Sequence, residues 1–282
     1  MELEDRRYFL LIVYPLQYYP QELCGVEYRK NNGGRMMKAV VASNLTKKFR
    51  NLVAVDSVSF SVAEGEVLGL LGPNGAGKST TIRLLSTLIK PTSGTASVFG
   101  YDICTDPDKV RACISLVTDR IILYERLTAF ENLVFFARLA GLPKEEANRR
   151  SINLLEEVNM IKWKDKQVRF FSSGMKQRIN VARALINHPR ILFLDEPTIG
   201  LDPRSTSNMR KLISSLKENG QSVILTTHLI HDAEILCDRI LLIHTGNIIA
   251  SGTFEELRSL VRRYNDSEPA SLEDVYLLLM PE

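Results

Sequence analysis

Charge of one sign is scarce in this sequence. Lys and Arg number 36 against 33 Asp and Glu, a formal net charge of +3 over 282 residues. So small a bias builds no field for a phosphate backbone, and no nucleic-acid partner is expected. Long apolar runs are missing as well. Nothing approaches the roughly 20 consecutive apolar residues that span a bilayer. The nearest stretch, residues 9–19, is short, contains Pro15 and follows the acidic Glu2, Glu4 and Asp5, which does not suit a secretory signal. Cysteine is sparse: Cys24, Cys104, Cys113 and Cys237 are scattered, with no CxxC pair. That spacing excludes a disulfide framework and fits a reducing cytosol. Internal repeats and low-complexity tracts are also absent. The remaining composition, 45% hydrophobic and 24% charged, is that of a globular chain and not of a disordered one.

Residues 1–37 stand apart. They hold Tyr8, Phe9, Tyr14, Tyr18, Tyr19 and Tyr28, end in Asn31-Asn32-Gly33-Gly34, and keep neither a helical nor a strand period. Two readings fit them: an amphipathic arm that touches a membrane or a partner, or translation from a mis-assigned start ahead of Met36-Met37.

From residue 38 onward the pattern is regular. Short strands are expected at 40–42, 58–62, 67–71, 95–99, 114–117, 191–194, 223–226 and 240–243, and Thr245-Gly246-Asn247 reads as a hairpin turn into 248–250. Helices are expected at about 78–88, stopped by Pro91, and at 204–217, capped by Asp202-Pro203. Residues 128–166 read as helical: Thr128 and Glu131 form a capping box, and Pro143 opens a second helix. Strands alternating with helices imply an α/β domain with a mainly parallel sheet.

Two motifs carry chemistry. Gly72, Pro73, Asn74, Gly75, Ala76, Gly77, Lys78 and Ser79, followed by Thr80, fit GxxxxGK[ST] between an expected strand and an expected helix. Glycines let backbone amides turn inward around phosphate oxygens, and the helix start adds its dipole. Lys78 is expected to reach the β- and γ-phosphates and Ser79 to ligate Mg²⁺. The second motif is 191–194, an apolar strand ending in Asp195 and Glu196. A carboxylate at the carboxyl end of a buried strand lies where α/β sheets bind ligands. Asp195 is placed to hold Mg²⁺, and Glu196 to take a proton from attacking water.

Phe171-Ser172-Ser173-Gly174-Met175-Lys176-Gln177-Arg178 precedes that strand. It resembles the LSGGQ-x-Q-R signature of ATP-binding cassette (ABC) transporter subunits, matching at Ser172, Gly174, Gln177 and Arg178 and departing at Phe171, Ser173 and Met175. Gly200-Leu201-Asp202 is similar to that family's D-loop, Thr226-Thr227-His228 to its switch-histidine loop, and Phe49 falls where an aromatic stacks on adenine. One position departs more sharply: Asp119 stands where the family places a glutamine that links Mg²⁺ and water to the membrane partner. The tail from Ser271 resembles the ending of cassettes that serve drug, ion or lipid exporters.

The resemblance implies a P-loop NTPase of the ABC ATPase fold: a mainly parallel core sheet, an antiparallel β-subdomain and an inserted α-helical subdomain. It divides the chain into an extension at 1–37, the ATPase domain at 38–260 with its helical subdomain at about 120–187, and a short tail at 261–282. It implies an ATPase that binds ATP and Mg²⁺ and powers a separate transmembrane permease, more often for export. Such a subunit pairs with an identical or a different cassette and sits on the cytoplasmic face of the membrane. Lys78, Glu196 and His228 are then the catalytic residues. Ser172, Ser173, Gly174 and Met175 complete the site across the dimer, where Asp202 meets the partner, and Ser79 and Asp195 are the metal ligands, with Asp119 as a further candidate. A soluble cassette acting on ribosomes or DNA is the alternative. The single cassette, the absence of sustained heptads and the near-neutral charge weigh against it. A degenerate module that no longer hydrolyses ATP is a third reading, against which Glu196 and His228 stand.

Overall fold

The computed structural model describes residues 37–118, 120–262 and 271–280. Residues 1–36 of the extension at 1–37, the departure at Asp119, and residues 263–270 and 281–282 of the tail lie outside the described residues.

Two sheets share the work. The first is antiparallel, in the order β2-β1-β4-β5, from β1 (Lys38–Phe49), β2 (Leu52–Ala63), β4 (Ser93–Val98) and β5 (Tyr101–Asp102). The strands expected at 40–42 and 58–62 are the middles of a twelve-residue pair. Their polar, shifted registers mask the alternation in sequence but not the hydrogen bonding. The second sheet has the order β10-β9-β3-β8-β7-β6, from β3 (Val67–Leu71), β6 (Ile114–Val117), β7 (Ile191–Asp195), β8 (Ser222–Thr227), β9 (Arg239–His244) and β10 (Asn247–Gly252). All its pairings are parallel except β9 with β10, which turn tightly through Thr245 and Gly246.

β3, β7 and β8 are buried end to end, so they read as continuous apolar runs, as strands covered on both faces must. Their side chains still alternate. Leu68, Leu70, Ile191, Phe193 and Ile224 face the antiparallel sheet, α1 (Lys78–Leu85) and α2 (Pro107–Cys113). Leu192, Leu194, Val223 and Leu225 face the opposite core, shared with α3 (Ala129–Leu139), α4 (Lys144–Glu157), α5 (Ser173–Ala184) and α6 (Pro203–Glu218). A smaller third core joins Leu71, Ile240 and Leu242 to α7 (Ile230–Leu236), α8 (Phe254–Arg262) and α9 (Leu272–Leu279). Each of these fully buried aliphatic side chains contributes about 1.5–3 kcal/mol of transfer free energy.

Local chemistry sets the helix ends. Thr128 and Glu131 form the expected capping box on α3, and Ser271 with Asp274 forms another on α9. α1 stops at Leu85, short of the expected 88, because Thr87 takes a left-handed φ of 63° that a helix cannot continue through. On α5, Arg183 is buried and lies over the Phe136 ring at 5.4 Å while donating to Asn180 Oδ1, which ties α5 to α3. Burial brings its guanidinium down to about 10, so it stays charged at neutral pH.

Candidate functional site

The sheet order positions the site. β3, β8 and β7 are neighbours and parallel, so their carboxyl ends meet at one edge. Register pairs Leu71 with Thr227 and Asp195 with Thr226. The loop after β3, the two carboxylates ending β7 and the histidine after β8 are therefore adjacent, although far apart in sequence.

The loop from Gly72 to Gly77 is braced from outside. The Gly246 amide donates to Ala76 O at 2.9 Å, and the Asp56 amide donates to Gly246 O at 2.8 Å. The β9–β10 turn and β2 thus hold the loop's shape. Gly77 is the N-cap of α1 at φ 103°, and a Cβ there would come within 2.3 Å of Ala54 O. Only glycine fits. Lys78 is buried, with Nζ donating to Gly72 O at 2.7 Å and Pro73 O at 3.1 Å. The same ammonium pairs with Glu196 Oε1 at 3.3 Å.

Glu196 is held on its other oxygen by His228, whose Nδ1 lies 3.0 Å from Oε2. A carboxylate only accepts, so Nδ1 carries the proton in this pair and Nε2 is the ring's remaining polar atom. The backbone of Glu196 is left-handed, at φ 50°. Its amide donates to Thr226 O at 3.2 Å and to Thr226 Oγ1 at 3.0 Å, which sustains that strained conformation. Asp195 Oδ1 accepts from the Ser79 hydroxyl at 2.9 Å and from the Thr226 hydroxyl at 2.5 Å. Ser79 and Asp195 thus present two hard oxygen donors side by side, the type that Mg²⁺ takes next to phosphates, and the pair fits that ion.

Lys78, Ser79, Asp195, Glu196 and His228 are therefore brought together. Thr226, named in sequence only as the start of Thr226-Thr227-His228, ties Asp195 to Glu196, a role that its motif does not reveal.

Other expected residues lie against different partners. Ser172 caps α5, its hydroxyl accepting from the Met175 amide at 3.3 Å, and Ser173 begins the helix. A Cβ on Gly174 would come within 2.2 Å of Ser205 Oγ on α6, so this segment packs directly on the helix that follows Asp202. Asp202 caps that helix, accepting from the Arg204 and Ser205 amides at 3.0 Å each. Hydrogen bonds from Ser205 and then Arg204 hold its carboxyl below the usual range. Phe49 ends β1 with 44% of its surface exposed and Lys47 Nζ 5.0 Å from its ring centroid. It shares an apolar hairpin tip with the exposed Leu52 and Val53. Among the described residues no helix is long and apolar enough to cross a membrane.

Comparison with known proteins agrees with this arrangement. The family model described as ABC transporter matches residues 55–199. The doxorubicin resistance ATP-binding protein DrrA of Mycobacterium tuberculosis is 44% identical over 222 residues, 78% of this chain and 67% of that protein. The solved structure of cbiO1 from Clostridium perfringens, part of the ABC transporter complex cbiONQ, aligns with a TM-score of 0.73 at 27% identity, over 86% of this chain and 99% of that one. A dimeric ATP-binding cassette in a post-hydrolysis state, bound to ADP and Pi, aligns with a TM-score of 0.67 at 28% identity, over 76% of this chain and 98% of that one. A family match across about half of the chain, and a relative so similar over most of it, establish that this protein belongs to the ABC transporter family, as an ATP-binding and ATP-hydrolysing subunit.

Proposed function

We propose that this chain is the motor of an exporter, seated on the cytoplasmic face of a separate membrane permease, and that Lys78, Glu196 and His228 carry its hydrolytic step. One observation supports the residue assignment above others: the Glu196 carboxylate is bracketed by Lys78 at 3.3 Å and His228 at 3.0 Å beside the phosphate loop. The backbone amides of Gly75 to Ser79 cradle the phosphates, and Thr80 lies just beyond them at the helix start. Lys78 leaves its loop carbonyls and Glu196 for the β- and γ-phosphates. That exchange releases Glu196 Oε1 to accept a proton from the attacking water. With a proton on each ring nitrogen, His228 donates from Nδ1 to Glu196 Oε2, keeping it oriented, and from Nε2 to the γ-phosphate. Mg²⁺, held by Ser79 and Asp195, neutralises charge on the phosphate oxygens when it is bound.

Two cassettes, identical or different, face each other head to tail, so that Ser172, Ser173, Gly174 and Met175 of one close over the nucleotide of the other. Asp202 meets the partner at that junction, and Phe49 offers a face for adenine. Hydrolysis removes the shared γ-phosphate and the pair opens, a rigid-body switch read by the permease. The helical segment at about 120–187 and the loop carrying Asp119 form the surface that meets the permease. Export is supported by the drug-resistance function in the name of DrrA.

The test is recovery of the tagged chain from gently solubilised native membranes, with partners identified by mass spectrometry. A stoichiometric polytopic protein is expected. A chain that stays soluble and comes down with ribosomes or alone contradicts the motor role.

A further inference from the structure

Asp232 is a carboxylate that the proposed reaction does not use, and it is 1% exposed. It lies in the first turn of α7, four residues beyond His228. Its Oδ2 accepts from the Thr198 hydroxyl. Its Oδ1 accepts from Arg210 Nε at 2.7 Å, and the second guanidinium nitrogen of Arg210 closes on the same oxygen. Thr198 is itself buried, two residues beyond Glu196, while Arg210 stands on α6, the helix capped by Asp202. One carboxylate thus joins the turn after the base, the helix after the switch histidine and the helix after the D-loop.

The backbone explains why such a tie matters. Glu196 keeps its left-handed φ only while its surroundings hold it there. On the amino side Thr226 does so. On the carboxyl side the chain folds into a turn, the Ile199 amide donating to Glu196 O at 3.2 Å and the Leu201 amide to Thr198 O at 3.3 Å. The Thr198 hydroxyl anchors that turn to α7. α7 is in turn fixed to β8, with the Leu229 amide on Thr227 Oγ1 at 2.9 Å and the Asp232 amide on Leu229 O at 3.1 Å. A buried ion pair is a poor source of stability, since desolvation offsets its attraction. Its value here is geometric.

We infer that Asp232 is a positioning residue for ATP hydrolysis: acting through Thr198, with Arg210 fixing its orientation, it keeps Glu196 and His228 in register as one unit. This inference rests on the roles proposed for Glu196 and His228. Its test compares the full-length chain with Thr198→Val, Thr198→Ser, Asp232→Asn and Glu196→Gln, measuring kcat and KM for ATP. Thr198→Val keeps the volume and removes the hydroxyl. It is expected to lower kcat about tenfold, equivalent to about 1.4 kcal/mol of barrier, with KM changed less than about twofold. Thr198→Ser restores the rate, and Asp232→Asn falls between the two. A folded Thr198→Val or Asp232→Asn with unchanged kcat overturns the inference, as does a loss that Thr198→Ser does not recover, or a KM that moves with kcat. Should Thr198→Val not fold, Asp232→Asn decides on the same split. If Glu196→Gln hydrolyses at the wild-type rate, the underlying reading fails. If Glu196→Gln is inactive while Thr198→Val is fully active, only the role of Asp232 fails.

Discussion

Alanine at Gly77 is predicted to separate the cost of backbone conformation from the cost of space. At φ 103° an L-residue is strained, by about 1–2 kcal/mol. The added Cβ would also stand 2.3 Å from Ala54 O, so either β2 or the phosphate loop must move by about 0.7 Å to reach even a 3.0 Å contact. Overpacking of this kind costs about 1–3 kcal/mol. The two together amount to about 2–5 kcal/mol, which at this chain length lowers Tm by about 5–15 °C. Because the displaced atoms include the proposed phosphate cradle, ATP affinity is expected to fall as well, by about tenfold or more. Gly75 provides the control. It has φ 82°, but a Cβ there would meet nothing within 4 Å, so Gly75→Ala carries the conformational cost alone. Differential scanning fluorimetry with and without ATP, paired with titration calorimetry, reads both quantities. Gly77→Ala binding and melting like the wild type, or Gly75→Ala proving the more damaging, would show that the Ala54 contact does not hold this loop.

Further predictions follow from the same contacts. Lys78→Met keeps the apolar stem and removes the donor to Gly72 O, Pro73 O and Glu196. ATP affinity should fall at least tenfold, on the basis of about 1.5–3 kcal/mol for a charged hydrogen bond, and titration calorimetry showing unchanged affinity argues against the loop assignment. Gly174→Ala drives a methyl into Ser205, whose Oγ and Cβ stand at 2.2 and 2.3 Å from the added atom. It should abolish turnover in a phosphate-release assay while leaving ATP binding to a single chain intact, and full turnover contradicts the packing described.

The site divides cleanly into parts that are legible in sequence and parts that are not. Gly72 to Ser79 can be read because a phosphate loop is a local object: glycines, a lysine and a helix start within one turn of chain. Asp195 and Glu196 are legible because an apolar run that ends in carboxylates is also local. The cap at Asp202 and the box at Thr128 and Glu131 are local as well, and the structure places them as expected. The twelve-residue β1–β2 pair shows in sequence only at its centre, since polar residues and register shifts break the alternation that periodicity relies on. The Lys78–Glu196 pair, the role of Thr226 and the union of Thr198, Asp232 and Arg210 depend on sheet order. Thr198 and Asp232 are 34 positions apart, and Arg210 and Asp232 are 22 apart. Nothing in local pattern marks such partners until β3, β8 and β7 are laid side by side.

Glu196 is proposed to activate water at this sheet edge. The most direct measurement is phosphate release by Glu196→Gln under conditions where ATP binding is followed in the same sample. The carboxamide keeps the shape beside Lys78 and His228 but cannot take the proton. ATP affinity within a few-fold of the wild type is expected, with hydrolysis reduced by at least about a hundredfold. Turnover at the wild-type rate by a variant that binds ATP normally would contradict that role.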